Sequence, residues 1–138
     1  VAGGFLWIDD SWGSAAWSYI ADQMARVLPP GEFPIIDLPR AHPIMRTVYD
    51  VPAIPQVPSI NHWRRSGGGT SELGRDSAEV YVRGMEDSRG RLMVLLTHNT
   101  DISDSWEREG EEPRGYFDAF SPAGSAVGVN VIVYALTH

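Results

Sequence analysis

Gly3-Gly4-Phe5-Leu6-Trp7-Ile8-Asp9-Asp10-Ser11-Trp12-Gly13 stands near the start of the chain, and its reading decides the fold. Phe5 to Ile8 is a short apolar run with glycines ahead of it and two aspartates behind it. That pattern suits a buried strand ending in polar groups. The period then changes. Ala16, Ile20, Met24 and Val27 recur at helical spacing, while Ser18, Asp22, Gln23 and Arg26 fill the opposite face. Ser14 is placed to cap this helix and Pro29-Pro30-Gly31 to stop it. Phe33 to Ile36 reads as the next strand, and a strand–helix–strand unit predicts a parallel pair.

Further along, prolines from Leu38 to Pro58 are too frequent for a long regular element. An extended surface segment is expected there, with at most a helical turn near His42–Arg46. Ser66 to Ser71 reads as a glycine-rich loop. Glu79 to Met85 and Arg91 to Thr97 predict a hairpin that turns through Glu86-Asp87-Ser88-Arg89-Gly90. Beyond His98 the chain is polar and acidic through Glu112. A short helix is expected over Tyr116 to Phe120. From Ser121 to Thr137 local β-branched residues favour a strand, but length and the Ser121-Pro122 start favour a buried helix, which is the reading adopted. No repeat and no second domain are visible.

Composition narrows the function classes. The 138 residues carry a formal net charge of -7. All 11 basic residues are Arg, and only Arg64-Arg65 forms a tight basic pair, so a nucleic-acid or anionic-membrane surface is not expected. The absence of cysteine excludes disulfides, cysteine-ligated metals and thiol nucleophiles. The longest apolar stretch, Ala126 to Leu136, is interrupted by Asn130 and falls short of the ~20 residues a membrane span requires. Because the chain starts at Val1 and enters a strand almost at once, it reads as a fragment that has lost an N-terminal part and any export signal.

In open α/β sheets ligands gather beyond the carboxyl ends of strands. Two segments meet that description: Asp9-Asp10-Ser11-Trp12-Gly13, and Thr97-His98-Asn99-Thr100-Asp101 followed by Asp104, Trp106 and Glu107. Strand alternation sends Asp9 and Asp10 in different directions, so one is expected at the pocket and the other at backbone N–H groups of the helix start. His98 can act as a base, donate to a carboxylate or bind a metal, against the plainer role of a histidine bonded to loop backbone. Asp101 and Asp104 with Asp9 or Asp10 would offer oxygens to Mg²⁺ or Ca²⁺, but the spacing matches no calcium loop, and neither metal nor cofactor is assigned. Gly67-Gly68-Gly69-Thr70 lacks the lysine and register of a phosphate loop and reads as flexible. Arg64 and Arg65 are candidates for a carboxylate or sugar contact, or for pairing with surplus acids. Trp7 and Trp17 look like core, whereas Trp12, Trp63 and Trp106 flank the polar motifs as candidate pocket walls.

These residues also resemble a known family. The stretch from Gly3 to Gly13, His42-Pro43-Ile44, Thr97 to Asp101, Trp106-Glu107 and the closing Gly128 to His138 resemble the bacterial domain of unknown function family 4159, over essentially the whole chain. Members of that family carry a further N-terminal portion and are often exported or membrane-attached, so the resemblance implies a periplasmic or membrane-attached setting. A more distant similarity is to the class I glutamine amidotransferase-like fold, especially trehalose-utilisation (ThuA-like) proteins. It implies one α/β domain over residues 1–138, a flavodoxin-like sheet with flanking helices. In that pattern the elbow after the first strand holds the nucleophilic cysteine, and here it holds Asp9-Asp10. Thr97 also replaces the glycine that precedes the pattern's histidine. Glutamine hydrolysis by a thiolate is therefore not expected.

Three functions follow as expectations. The first is a domain binding a small polar ligand, uncharged or cationic, such as a sugar, with Asp9, Asp10, His98 and Asp101 around the pocket and Trp12, Arg64, Arg65, Asn99, Asp104, Trp106 and Glu107 lining it. The second is a hydrolase or lyase in which His98, held by Asp101, is the base and Asp9 or Asp10 the nucleophile, acid or metal ligand. The third is an interaction module of a bacterial envelope assembly, in which the polar cluster knits loops together. An open sheet edge left by missing neighbours would favour a homo-oligomer.

Overall fold

The computed structural model describes residues 3–111 and 113–138. Four strands form one mixed sheet: β1 (Leu6–Ile8), β2 (Ile36–Asp37), β3 (Tyr81–Glu86) and β4 (Leu92–His98), in the order β1-β4-β3-β2. The helices are α1 (Gly13–Val27), α2 (Ile60–Ser66), α3 (Asp104–Glu107) and α4 (Arg114–Thr137). Short 3-10 turns span Pro43–Arg46 and Gly74–Ser77. This is a mixed α/β fold with helices on both faces of the sheet.

The strand–helix–strand reading needs one correction. β1 and β2 run in the same direction but do not pair, because the β3–β4 hairpin lies between them. β1 pairs in parallel with β4 (Leu6 opposite Val94, Ile8 opposite Leu96), while β2 is a two-residue edge antiparallel to β3. Every residue of β4 is buried. Its near-continuous apolar run Leu92–Leu96 is what a strand covered on both faces requires. The hairpin itself forms as the sequence predicts. Gly84 gives the hairpin its close packing, since a Cβ there would lie 2.3 Å from Leu92 Cδ1 and 3.0 Å from the Val94 carbonyl.

One face of the sheet packs Met24, Trp17 and Ile20 of α1 against Met85, Met93, Val94 and Leu96. The other packs Val127, Val131 and Tyr134 of α4, with Ile44, Met45, Val51 and Val57 of the proline-rich segment, against Leu92 and Leu95. That segment wraps the surface as expected, and its backbone polar groups are satisfied from the core. Thr100 Oγ1 accepts the Val57 N–H (3.0 Å), and buried Asn130 accepts the N–H groups of Val48 and Tyr49 (2.9 and 2.8 Å). Asn130 interrupts the apolar run of α4 for this reason.

α4 is longer than the sequence suggests. It absorbs the short helix expected at Tyr116–Phe120 and runs straight through Pro122. The Ser121 hydroxyl does not start a helix; it donates to the carbonyl of Ser105 on α3. Gly124 and Gly128 let α3 approach, because a Cβ at either position would collide with Ser105 or Trp106. α4 is 24 residues long and its most apolar 18-residue stretch has a mean hydropathy of 1.5, the length and composition to cross a membrane, yet one side of it is the cover of the sheet. α2, a helix not read from the sequence, is capped by Ser59 Oγ, which accepts the His62 N–H, and ends at left-handed Gly67.

Candidate functional site

The two parallel strands β1 and β4 end side by side, and each turns through a non-glycine residue in the left-handed region. Asp10 has φ 56° and Asn99 has φ 62°. Such residues are uncommon and gather where the surroundings over-determine the backbone. Here the Asn99 N–H donates to the Ser11 carbonyl (2.6 Å) and Ser11 bridges Thr100, locking the two turns together. Asn99 has its own compensation. Its Oδ1 accepts the Gly13 N–H (2.8 Å) and its Nδ2 donates to the Glu79 carbonyl (2.7 Å). Asp10 is exposed, and among the described residues its Oδ1 accepts only the indole N–H of Trp12 (3.0 Å).

The start of α1 is capped from outside the helix. Asn99 takes the Gly13 N–H, and Asp76 Oδ2 takes both the N–H and the hydroxyl of Ser14 (2.9 and 3.2 Å). Ser14 therefore does not cap as expected; it is itself held by Asp76, which nothing in the sequence marks.

Asp9 and Asp10 do point apart, as alternation requires. Half-buried Asp9 spends both oxygens on structure: Oδ1 accepts the Thr97 hydroxyl (2.6 Å) and Oδ2 the Ser103 N–H (3.0 Å). Burial raises its pKa above the usual carboxylate value, and these hydrogen bonds oppose the rise. Asp101 is 7% exposed. Its Oδ1 accepts the Ser103 hydroxyl (2.8 Å) and the Asp104 N–H (3.1 Å), while Oδ2 accepts no hydrogen bond from the described residues. Burial pushes its pKa up to about 7, with the charges of Asp104 and Asp10 adding to the rise. Asp104 Oδ2 accepts the Ile60 N–H at the start of α2 (3.3 Å), and burial raises its pKa as well.

His98 is not part of this cluster. Neighbouring strand residues face opposite sides of a sheet. Thr97 therefore reaches Asp9, while His98 reaches the start of α1, where its Nε2 lies 2.9 Å from the Gly13 carbonyl and donates to it. The ring is 5% exposed and lies between Trp17 and Tyr81 (centroids 5.4 and 5.7 Å). Burial lowers its pKa, and the nearby Arg83 charge lowers it further. The expected His98–Asp101 pair is not formed.

The remaining candidates divide. Trp12 stands beside Asp10. Trp106 packs between Trp7 (6.3 Å) and Gly128, and Trp63 packs edge-on against Tyr116. Glu107 is exposed on α3. Arg64 and Arg65 sit exposed on the last turn of α2, with the Arg64 charge felt at Glu111. Glu72 was missed by sequence reading; its carboxylate accepts the Ser59 N–H (2.7 Å) and adds to the acidic surroundings. Among the described residues no three carboxylates or imidazoles converge to hold a metal ion, so the cation site weighed from sequence is not assembled.

What remains at the strand ends is exposed Asp10 with half-buried Trp12, near buried Asp101, braced by Asp9, Asn99 and Asp104. Searches against curated proteins and against solved structures return no match. The family model described as domain of unknown function DUF4159 matches residues 1–136, and the chain belongs to that family.

Proposed function

We propose that this chain is an amidotransferase-like, ThuA-like domain without glutaminase activity that binds a small hydroxylated ligand, such as a sugar, at the carboxyl ends of β1 and β4. The observation that carries the reading is the left-handed backbone of Asp10 at an exposed strand-to-helix elbow. A strained polar residue that projects its side chain to solvent is what an α/β fold uses to present a reacting or binding group. Asp10 accepts hydroxyl protons, Trp12 offers a ring face, and Asp101 Oδ2 accepts or donates according to its proton. His98 is left out, because it is bonded on the other face of the sheet.

A thermal-shift screen against simple sugars tests this. A ligand at about a hundred times its Kd adds ~2.7 kcal/mol to stability, enough to raise the melting temperature by several degrees. The shift is expected with wild type and absent in Asp10→Ala. A shift that survives Asp10→Ala, or none with any sugar, would refute the reading.

A second reading is favoured by one observation, the near-neutral pKa of Asp101 beside Asp10. A carboxyl poised there can serve as general acid or base in a hydrolase or lyase acting on the same ligand. Turnover with an inflection near pH 7 that disappears in Asp101→Asn would select this reading over simple binding.

A further inference from the structure

At the opposite end of the sheet a cleft of about 400 Å³ opens between the β3–β4 turn, the 3-10 turn after His42 and the last turns of α4. Arg89 and Arg91 line it. The protein has 18 acidic side chains against 11 arginines, yet neither guanidinium lies within ion-pair distance of a carboxylate among the described residues. The acid nearest in sequence is already committed: Asp87 Oδ1 accepts the backbone N–H groups of Arg89 (2.9 Å) and Arg91 (3.0 Å). Arg91 makes one long bond, from Nη2 to the Gly4 carbonyl (3.3 Å). The turn is thus held rigid by Asp87 while both guanidiniums keep most of their donors free.

Glu86 is a further polar group of the cleft with capacity to spare. Tyr134 lines the cleft with its ring, while its buried Oη accepts the Leu92 N–H (3.2 Å). Glu86, half-buried, faces His42, whose Nδ1 accepts the Ile44 N–H (3.2 Å), so that Nε2 carries the proton turned toward Glu86 Oε1 (3.4 Å). Burial holds His42 below its ordinary pKa, so it adds no fixed cation near neutrality. Two guanidiniums supply donors for an oxyanion, and Glu86 supplies one acceptor beside them.

We propose that this cleft is a second binding site, for a small oxyanion bearing a neighbouring hydroxyl, such as a phosphate monoester of a polyol. Arg89 and Arg91 hold the oxyanion, and Glu86 accepts the hydroxyl. The site is independent of the Asp10 surface.

Calorimetric titration at low ionic strength, with inorganic phosphate and with glycerol phosphate, tests the assignment. Saturable binding of both is expected, with glycerol phosphate the tighter. Arg89→Ala/Arg91→Ala should weaken both by about tenfold or more. Glu86→Ala should remove the preference for glycerol phosphate and leave inorganic phosphate bound. Arg26→Ala/Arg75→Ala, which removes the same charge elsewhere, should change neither. Absence of saturable binding, or equal loss in the two double variants, overturns the proposal. Circular dichroism confirms that each variant is folded before it is titrated.

Discussion

At the scale of residues, Asp10 and Asn99 share a left-handed backbone but differ in what they receive for it. Asn99 has two side-chain hydrogen bonds that repay its strain, whereas Asp10 has one, to an indole at the surface. Asp10→Gly is therefore expected to raise stability by about 0.5–1 kcal/mol in denaturant melts while abolishing ligand binding. Asn99→Gly should lower stability by about 1–3 kcal/mol, because it strips the cap from Gly13. Asp101 makes a pH-dependent claim. Its folded pKa lies above its unfolded value of 3.8, so its contribution to stability is fully present below about pH 4 and is lost as pH rises through about 7. Asp101→Asn should gain on wild type between pH 5 and pH 8, by on the order of a few kcal/mol, in melts followed across that range. The two-aspartate elbow was legible in the sequence because strand alternation splits such a pair. The isolation of His98 follows from the same rule applied to Thr97 and His98, but the partner it finds, the Gly13 carbonyl, comes from the left-handed turn at Asp10, which an Asp-Asp dipeptide does not announce.

At the scale of elements, the period of the sequence located β1, α1, the hairpin and the closing helix. It could not order the strands. A strand–helix–strand unit leaves open whether a later hairpin inserts between its strands, and here β4 takes the place beside β1. α2 was missed because its seven residues are too few to show a period, although the Ser59 cap and Gly67 stop were present. The continuity of α4 through Pro122 is a tertiary effect, since Ser121 and Gly124 bind that turn to Ser105 of α3. Gly124→Ala should accordingly cost about 1–3 kcal/mol in chemical denaturation, despite the higher helix propensity of alanine. Asp76→Ala should cost about 1 kcal/mol through the start of α1, an effect no reading of α1 alone foresees.

At the scale of the whole molecule, burial of acids and imidazoles pulls stability in opposite directions. Asp9, Asp101 and Asp104 have raised pKa values and lose their contribution as pH rises. His42 and His98 have lowered values; their contribution is present above their unfolded pKa of 6.5 and is lost as pH falls below it. With a net charge of -7 at pH 7, self-repulsion also relaxes on mild acidification. Family membership spans nearly the whole chain and assigns no chemistry, so the case for a site rests on geometry at the ends of β1 and β4. The measurement closest to that claim is chemical-shift mapping of the ¹⁵N-labelled protein titrated with simple sugars. Saturable shifts centred on Asp10–Trp12 and Asp101–Asp104, with the amide of His98 little affected, are expected. Saturable shifts centred elsewhere, or none at any concentration, would contradict a ligand site at the ends of these strands.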